Sequence, residues 1–144
     1  MTSRERIFYA IEHKETDRLP RDLGSTPSSG ISAIAYNRLV KYKGWPVGPA
    51  KIYDVVQQLA QPDDIVLDEY KIDVVDIGRQ FNTCNTDWKP DKLLDGSNAY
   101  VPSWFNATIL PDGSRAVFSE GLMIAKMPHT SSFYDGTYVA YPDE

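Results

Sequence analysis

The chain has 144 residues, a net charge of −5 and one cysteine. Apolar residues at 42% and charged residues at 24% are ordinary for a domain with a real core. The acidic balance excludes a basic nucleic-acid footprint, and no apolar run approaches the ~18 residues of a membrane span. A lone thiol, Cys84, builds no disulfide framework and fits a reducing, cytoplasmic setting. The opening MTSRERIFYAIEHK carries charges among its apolar positions, unlike a signal or transit peptide.

Thr2 followed by Glu5 is a capping box, which predicts a helix from about Ser3 with Ile7, Phe8, Ala10 and Ile11 as its apolar stripe. Leu19 to Leu23 then reads as a short buried strand, although Pro20 restricts it to an edge or entry position. Gly24 to Ser29 reads as a polar loop. Ile31 to Lys43 follows as a helix, with Ser28 or Ser29 as cap, Gly44 as stop, and Ile31, Ile34, Ala35, Leu39 and Tyr42 on one face. Two more helices are predicted over Ile52 to Ala60 and Pro62 to Tyr70, then a second strand over Ile72 to Ile77 closed by Gly78. Strand, helical crossover and strand predict a parallel βαβ unit in residues 1–78.

Beyond Gly78 no helical period recurs. Thr108 to Leu110 and Arg115 to Phe118 flank the turn Pro111-Asp112-Gly113, a strong hairpin signal. Ser119-Glu120-Gly121 turns into a further strand, Leu122 to Met127, and Ser131 to Tyr141 is a last extended stretch. Residues 79–144 therefore predict an inserted antiparallel β meander. Two parallel strands and a side sheet close no domain, so the chain is expected to be the front part of a larger protein.

In α/β folds ligands bind beyond the carboxyl ends of the strands. That rule directs attention to Gly24, Ser25 and Thr26 after the first strand, with a tight turn and helix cap as the competing role. Asp76 and Arg79 bracket the end of the second strand, as a carboxylate and guanidinium facing the same mouth or as an ion pair closing the strand. Asp22 is a candidate buried acid or a structural partner for Arg21 or Arg79. His129 reads as a loop residue and Cys84 as a passive thiol. Trp88, Trp104, Phe133 and Tyr134 read as a small core rather than a wall over a flat cofactor. No metal ligand set is present.

Taken together, TSRERIFYAIEHKETDRLP, DLGSTPSSGISAIAYNRL, YDVVQQLAQPDDIVLDEYKIDVVDI, LPDGSRAVF and FYDG resemble the amino-terminal region of the uroporphyrinogen decarboxylase superfamily, nearest its corrinoid-linked methyltransferases. The resemblance covers essentially the whole chain. It implies a (β/α)8 barrel, of which residues 1–78 would supply an amino-terminal helix and two strands. For the longer parent it implies zinc, a corrinoid and a corrinoid-protein partner. The zinc enzymes of the family use a His-x-Cys motif and a distant second cysteine, and none occurs here, where His13 and His129 are the only histidines. The decarboxylases grip carboxylates with an arginine-bearing loop after strand one, and DLGSTPSSG has no arginine. Methyl transfer is thus the leading expectation for the parent, with the isolated chain inactive. Tetrapyrrole decarboxylation is the first alternative. The second is a non-catalytic module that self-associates through exposed strand edges, and a homo-oligomer is expected.

Overall fold

The capping box forms as the sequence predicts: Glu5 N donates to Thr2 Oγ1 at 3.2 Å and Thr2 N donates to the Glu5 carboxylate at 2.8 Å, opening helix α1 at Ser3–Ile11. The computed structural model describes residues 1–77 and 84–137. Two sheets follow α1. The first contains β1 (Ile31–Ser32), β2 (Ala50–Asp54), β3 (Leu59–Gln61), β4 (Trp88–Lys92) and β5 (Asn98–Pro102), in the order β1-β3-β2-β5-β4. Helix α2 (Ala33–Lys43) leaves β1, and α3 (Asp64–Glu69) follows β3. The second sheet contains β6 (Thr108–Ile109), β7 (Arg115–Ser119), β8 (Leu122–Met127) and β9 (Asp135–Gly136) in sequential order.

This is a small β-rich fold, which corrects the expected amino-terminal part of a (β/α)8 barrel. Within the sheets the parallel contact is β2 with β5, where Ala50 faces Ala99 and Lys51 faces Tyr100, and the other neighbours run antiparallel. The two segments expected as barrel strands form no ladder beyond an isolated parallel bridge between Asp22 and Val74 among the described residues. Pro20 has no N–H to extend that ladder.

The expected helix over Ile52 to Ala60 is instead the β2–β3 hairpin, so no helical crossover links two parallel strands there. Ile52 and Tyr53 point to opposite faces, as successive strand residues must. Ile52 joins the main core, and Tyr53 joins a second cluster with Leu59 and Trp88. Branched and aromatic side chains fit that pleated, two-sided burial. Gln58, at φ +56, turns the hairpin and accepts Ala33 N through its carbonyl oxygen at 2.9 Å.

Helix α2 is close to expectation, but its cap is Ser32, whose Oγ accepts from Ala35 N at 3.3 Å, and it ends at Gly44 with φ +68. Its buried face is Ala33, Tyr36 and Val40, while Tyr42 is exposed. The face rotates because Tyr36, fully buried, finds a partner for its hydroxyl: it donates to Asp63, and Asp63 N donates back to it at 2.9 Å. That pair ties α2 to the start of α3.

The hairpin at Pro111-Asp112-Gly113 and strand Leu122–Met127 form as expected. The second sheet is tied to the first by Arg115, whose two Nη atoms donate to the Asp91 carboxylate at 2.9 and 2.7 Å. Phe105 and Tyr134 stack edge-to-face with centroids 5.8 Å apart beside Met127 in the shared core. Trp88 and Tyr134 are core residues, whereas Trp104 and Phe133 are exposed. The last expected extended stretch and Gly78 fall partly or wholly outside the described residues.

Ile52 is 1% exposed at the centre of the five-stranded sheet. Ile52→Ala is expected to lower the unfolding free energy by about 2–5 kcal/mol, the cost of a large-to-small core substitution, read from the urea midpoint.

Candidate functional site

The site begins with a carboxylate that has left water. The Asp73 side chain is 0% exposed, and it is surrounded by donors from the first 21 residues. Arg6 Nη1 donates to one oxygen. Arg18 straddles both oxygens, at 2.6 and 3.0 Å, and Arg21 N adds a bond at 2.9 Å. Arg6 also grips Asp17 with two bonds, at 2.7 and 2.9 Å. Burial alone would raise the Asp73 carboxyl, but the Arg18, Arg21, Ser3 and Arg6 donors outweigh it and hold it well below the ordinary carboxylate range. The Arg6 guanidinium lowers Asp17 to about 2. The cluster holds segment 17–22 beside segment 72–74, and the backbone confirms the register: Asp73 N donates to Arg21 O at 2.8 Å.

The loop leaving this clamp is shaped by Asp22. Its carboxylate accepts from Ser25 N at 3.1 Å and from Ser25 Oγ. Burial opposes ionisation of Asp22, but hydrogen bonds from Ser25 and Ser29 prevail and lower its pKa. Gly24 N donates to Ser29 O at 3.0 Å, closing the loop around the short 3₁₀ turn Pro27–Ser29. Gly24 adopts φ +81 and lies against Pro62, where an added Cβ would meet Pro62 Cδ at 3.0 Å.

A cleft of about 410 Å3 opens where this loop, α3 and segment 74–77 meet. Its apolar wall comes from Leu23, Pro62, Leu67, Val74, Val75 and Ile77. Its polar groups are Ser25, Gln61, Asp64 and Asp76. An apolar pocket with a few convergent polar groups is the usual form of a small-molecule site.

Of the residues singled out from the sequence, Gly24, Ser25 and Asp76 line this one cleft. Thr26 does not line it: its carbonyl accepts from Ser29 N and from the Tyr53 hydroxyl. Asp22 is exposed rather than the buried acid expected and does not line the cleft; it organises the loop, and its partners are serines rather than Arg21, whose Nη1 donates to Tyr70 O at 3.0 Å. Arg79 lies outside the described residues. Gln61 and Asp64 are not among the residues singled out: from the sequence Gln61 falls between the two expected helices, and Asp64 is a first-turn acid of the second. The turn-forming run Gln61-Pro62-Asp63-Asp64 was the one available signal.

Among the described residues no three His, Cys, Asp or Glu side chains could together hold a metal ion. His13, Cys84 and His129 are all exposed. No helix among the described residues is long and apolar enough to cross a membrane. Compared with protein-family models, curated proteins and solved structures, the chain matches none.

Gly24→Ala is expected to destabilise by about 1–2 kcal/mol, the penalty for an L-residue in the left-handed region, with the Pro62 contact adding to it. Thermal unfolding of the variant checks this. The clamp carries a pH signature as well. Asp17 and Asp73 have folded pKa values below their unfolded ones, so their stabilisation is complete above about pH 4 and is lost as pH falls toward 2. Acid titration by circular dichroism is expected to show this loss in the natural chain. The pH slope is expected to be shallower in Asp73→Asn, which is also less stable at neutral pH.

Proposed function

We propose that this chain is a substrate-facing part of a corrinoid-dependent methyltransferase related to the uroporphyrinogen decarboxylase superfamily, and that its cleft holds the small methyl donor. The observation that carries the reading is convergence. Gly24 and Ser25 come from one motif of the resemblance and Asp76 from another, and all three line the same cleft. In this reading Leu23, Leu67 and Val74 keep water from the donor's methyl group, while Ser25 and Asp76 orient its heteroatom. The histidines and cysteine of this chain do not fit a zinc site, so zinc and the corrinoid protein belong to other parts of the assembly and no step here runs through them.

Tetrapyrrole decarboxylation is the weaker reading. The described residues of the cleft include Asp64 and Asp76 and no lysine, arginine or histidine, which repels a polycarboxylate. A volume of about 410 Å3 is near the small end for a ligand pocket and suits a compact donor better than a macrocycle. Self-association is compatible with the methyl-transfer reading. Leu19, Val75 and Ile77 are exposed on the two bridged segments, Ile77 by 89%, and such apolar surface favours pairing of copies.

The test is amide chemical-shift mapping on the full chain with trimethylamine, dimethyl sulfide, anisole and coproporphyrin III. At least one methyl donor is expected to shift Gly24, Ser25 and Val75, with coproporphyrin leaving them in place. Shifts caused by coproporphyrin alone would favour the decarboxylase, and no shift at these residues with any of the four would remove the cleft reading.

A further inference from the structure

We propose that the groove between α2 and the two bridged segments binds an aliphatic monocarboxylate, whose carboxylate is held by Arg21. This site is separate from the cleft. Ile31 and Leu39 belong to the stripe expected to pack into the core, but α2 buries Ala33, Tyr36 and Val40 instead. Ile31 and Leu39 are left along an open groove of about 570 Å3, which Pro20, Leu23, Tyr70 and Ile72 complete. All six are half-buried and none carries a charge. Such a wall takes an apolar chain out of water without stripping a charged group of its hydration, and the volume lies within the range of ligand pockets.

Charge complementarity selects the other end of the ligand. Arg21 lines the same groove, and its Nη1 donates to Tyr70 O at 3.0 Å. Among the described residues its side chain makes no other hydrogen bond and no ion pair. Arg6 and Arg18 share Asp73, and Arg115 clasps Asp91, so Arg21 differs from them in lacking an acid. The Tyr70 carbonyl fixes one end of the guanidinium at the groove wall. Nε and Nη2 remain, and their N–H groups form the edge that a carboxylate meets with both oxygens. The nearby acids are engaged elsewhere. The Asp22 carboxylate accepts from Ser25 N and Ser25 Oγ, and Glu69, next to Tyr70, is paired with Lys43 at 3.1 Å. Lys71, on the other side of Tyr70, is a further exposed cation. One guanidinium above an apolar wall suits one carboxylate on an apolar chain, and a polycarboxylate would leave its other charges against Leu39 and Ile72.

The test titrates the full chain with octanoate, octanol, octylamine and acetate, read by amide chemical shifts. Octanoate is expected to shift Ile31, Leu39 and Ile72 together with the Arg21 Nε–H resonance. It is expected to bind about tenfold more tightly than octanol, the equivalent of one charge-assisted hydrogen bond. Acetate has the charge without the chain and octylamine has the chain with the opposite charge, so both are expected to bind more weakly than octanol. Arg21→Gln is expected to remove the preference for octanoate, to keep octanol binding, and to leave the urea midpoint close to that of the natural chain. Arg21→Lys, which keeps the charge without the planar fork, is expected to retain part of the preference. Equal binding of octanoate and octanol by the natural chain, or an undiminished preference in Arg21→Gln, overturns the role of Arg21. Octanoate shifting Gly24 and Asp64 but not Leu39 or Ile72 places the ligand in the cleft and overturns the groove site. No shift at Ile31, Leu39 or Ile72 with any probe overturns the inference and leaves the methyl-donor reading of the cleft standing.

Discussion

Everything amino-terminal to Gly24 depends on the buried carboxylate of Asp73. Helix α1 buries only Arg6, while Phe8, Tyr9 and Ile11 remain exposed, so apolar packing does not hold it in place. What holds it is the chain of charges from Asp17 through Arg6 to Asp73, with Arg18 closing the other side. Taking these groups out of water is costly, and the cost is offset because each oxygen and guanidinium meets a directed partner. Such a network contributes less to net stability than to uniqueness: few other dockings of residues 1–22 would satisfy Asp73.

The cleft inherits its geometry from that clamp. Segment 17–22 and segment 72–74 are held side by side, and the loop after Asp22 and the run after Val74 diverge from there. Asp22 folds the loop inward through Ser25, and Gly24 lets it approach Pro62 more closely than any residue with a Cβ. On the far wall the Tyr36–Asp63 pair fixes where α3 starts and therefore where Gln61, Asp64 and Leu67 stand. The walls of the cleft are thus set by polar contacts between elements distant in sequence, and its lining by the apolar residues between them.

Local features were legible wherever the physics was local. The capping box at Thr2 and Glu5, the stop at Gly44, the turn at Asp112-Gly113 and the strand at Leu122–Met127 each depend on a few adjacent residues. The hairpin at Ala50–Gln61 was misread because Ile52, Val55, Val56, Leu59 and Ala60 recur at spacings that suit a helix as well as a strand. What decided between them was β5, whose Ala99 pairs with Ala50 of β2 from far down the chain, and Trp88, which covers the face carrying Tyr53. The barrel expectation failed with that hairpin, since removing the crossover helix removes the reason for two parallel strands to run on together.

The sequence alone determined the capping box of α1, the stop of α2 at Gly44 and the turn at Asp112-Gly113, because backbone angles and side-chain caps follow from neighbouring residue types, whereas the cap of α2 moved from the expected Ser28 or Ser29 to Ser32. Only the tertiary structure decided that Asp73 would be buried among arginines, that Asp22 would bond serines instead of Arg21, and that Gln61 and Asp64 would line the same cleft as Gly24 and Asp76. Those outcomes turn on desolvation and on donors brought in from distant segments, and neither quantity is carried by any short stretch of chain.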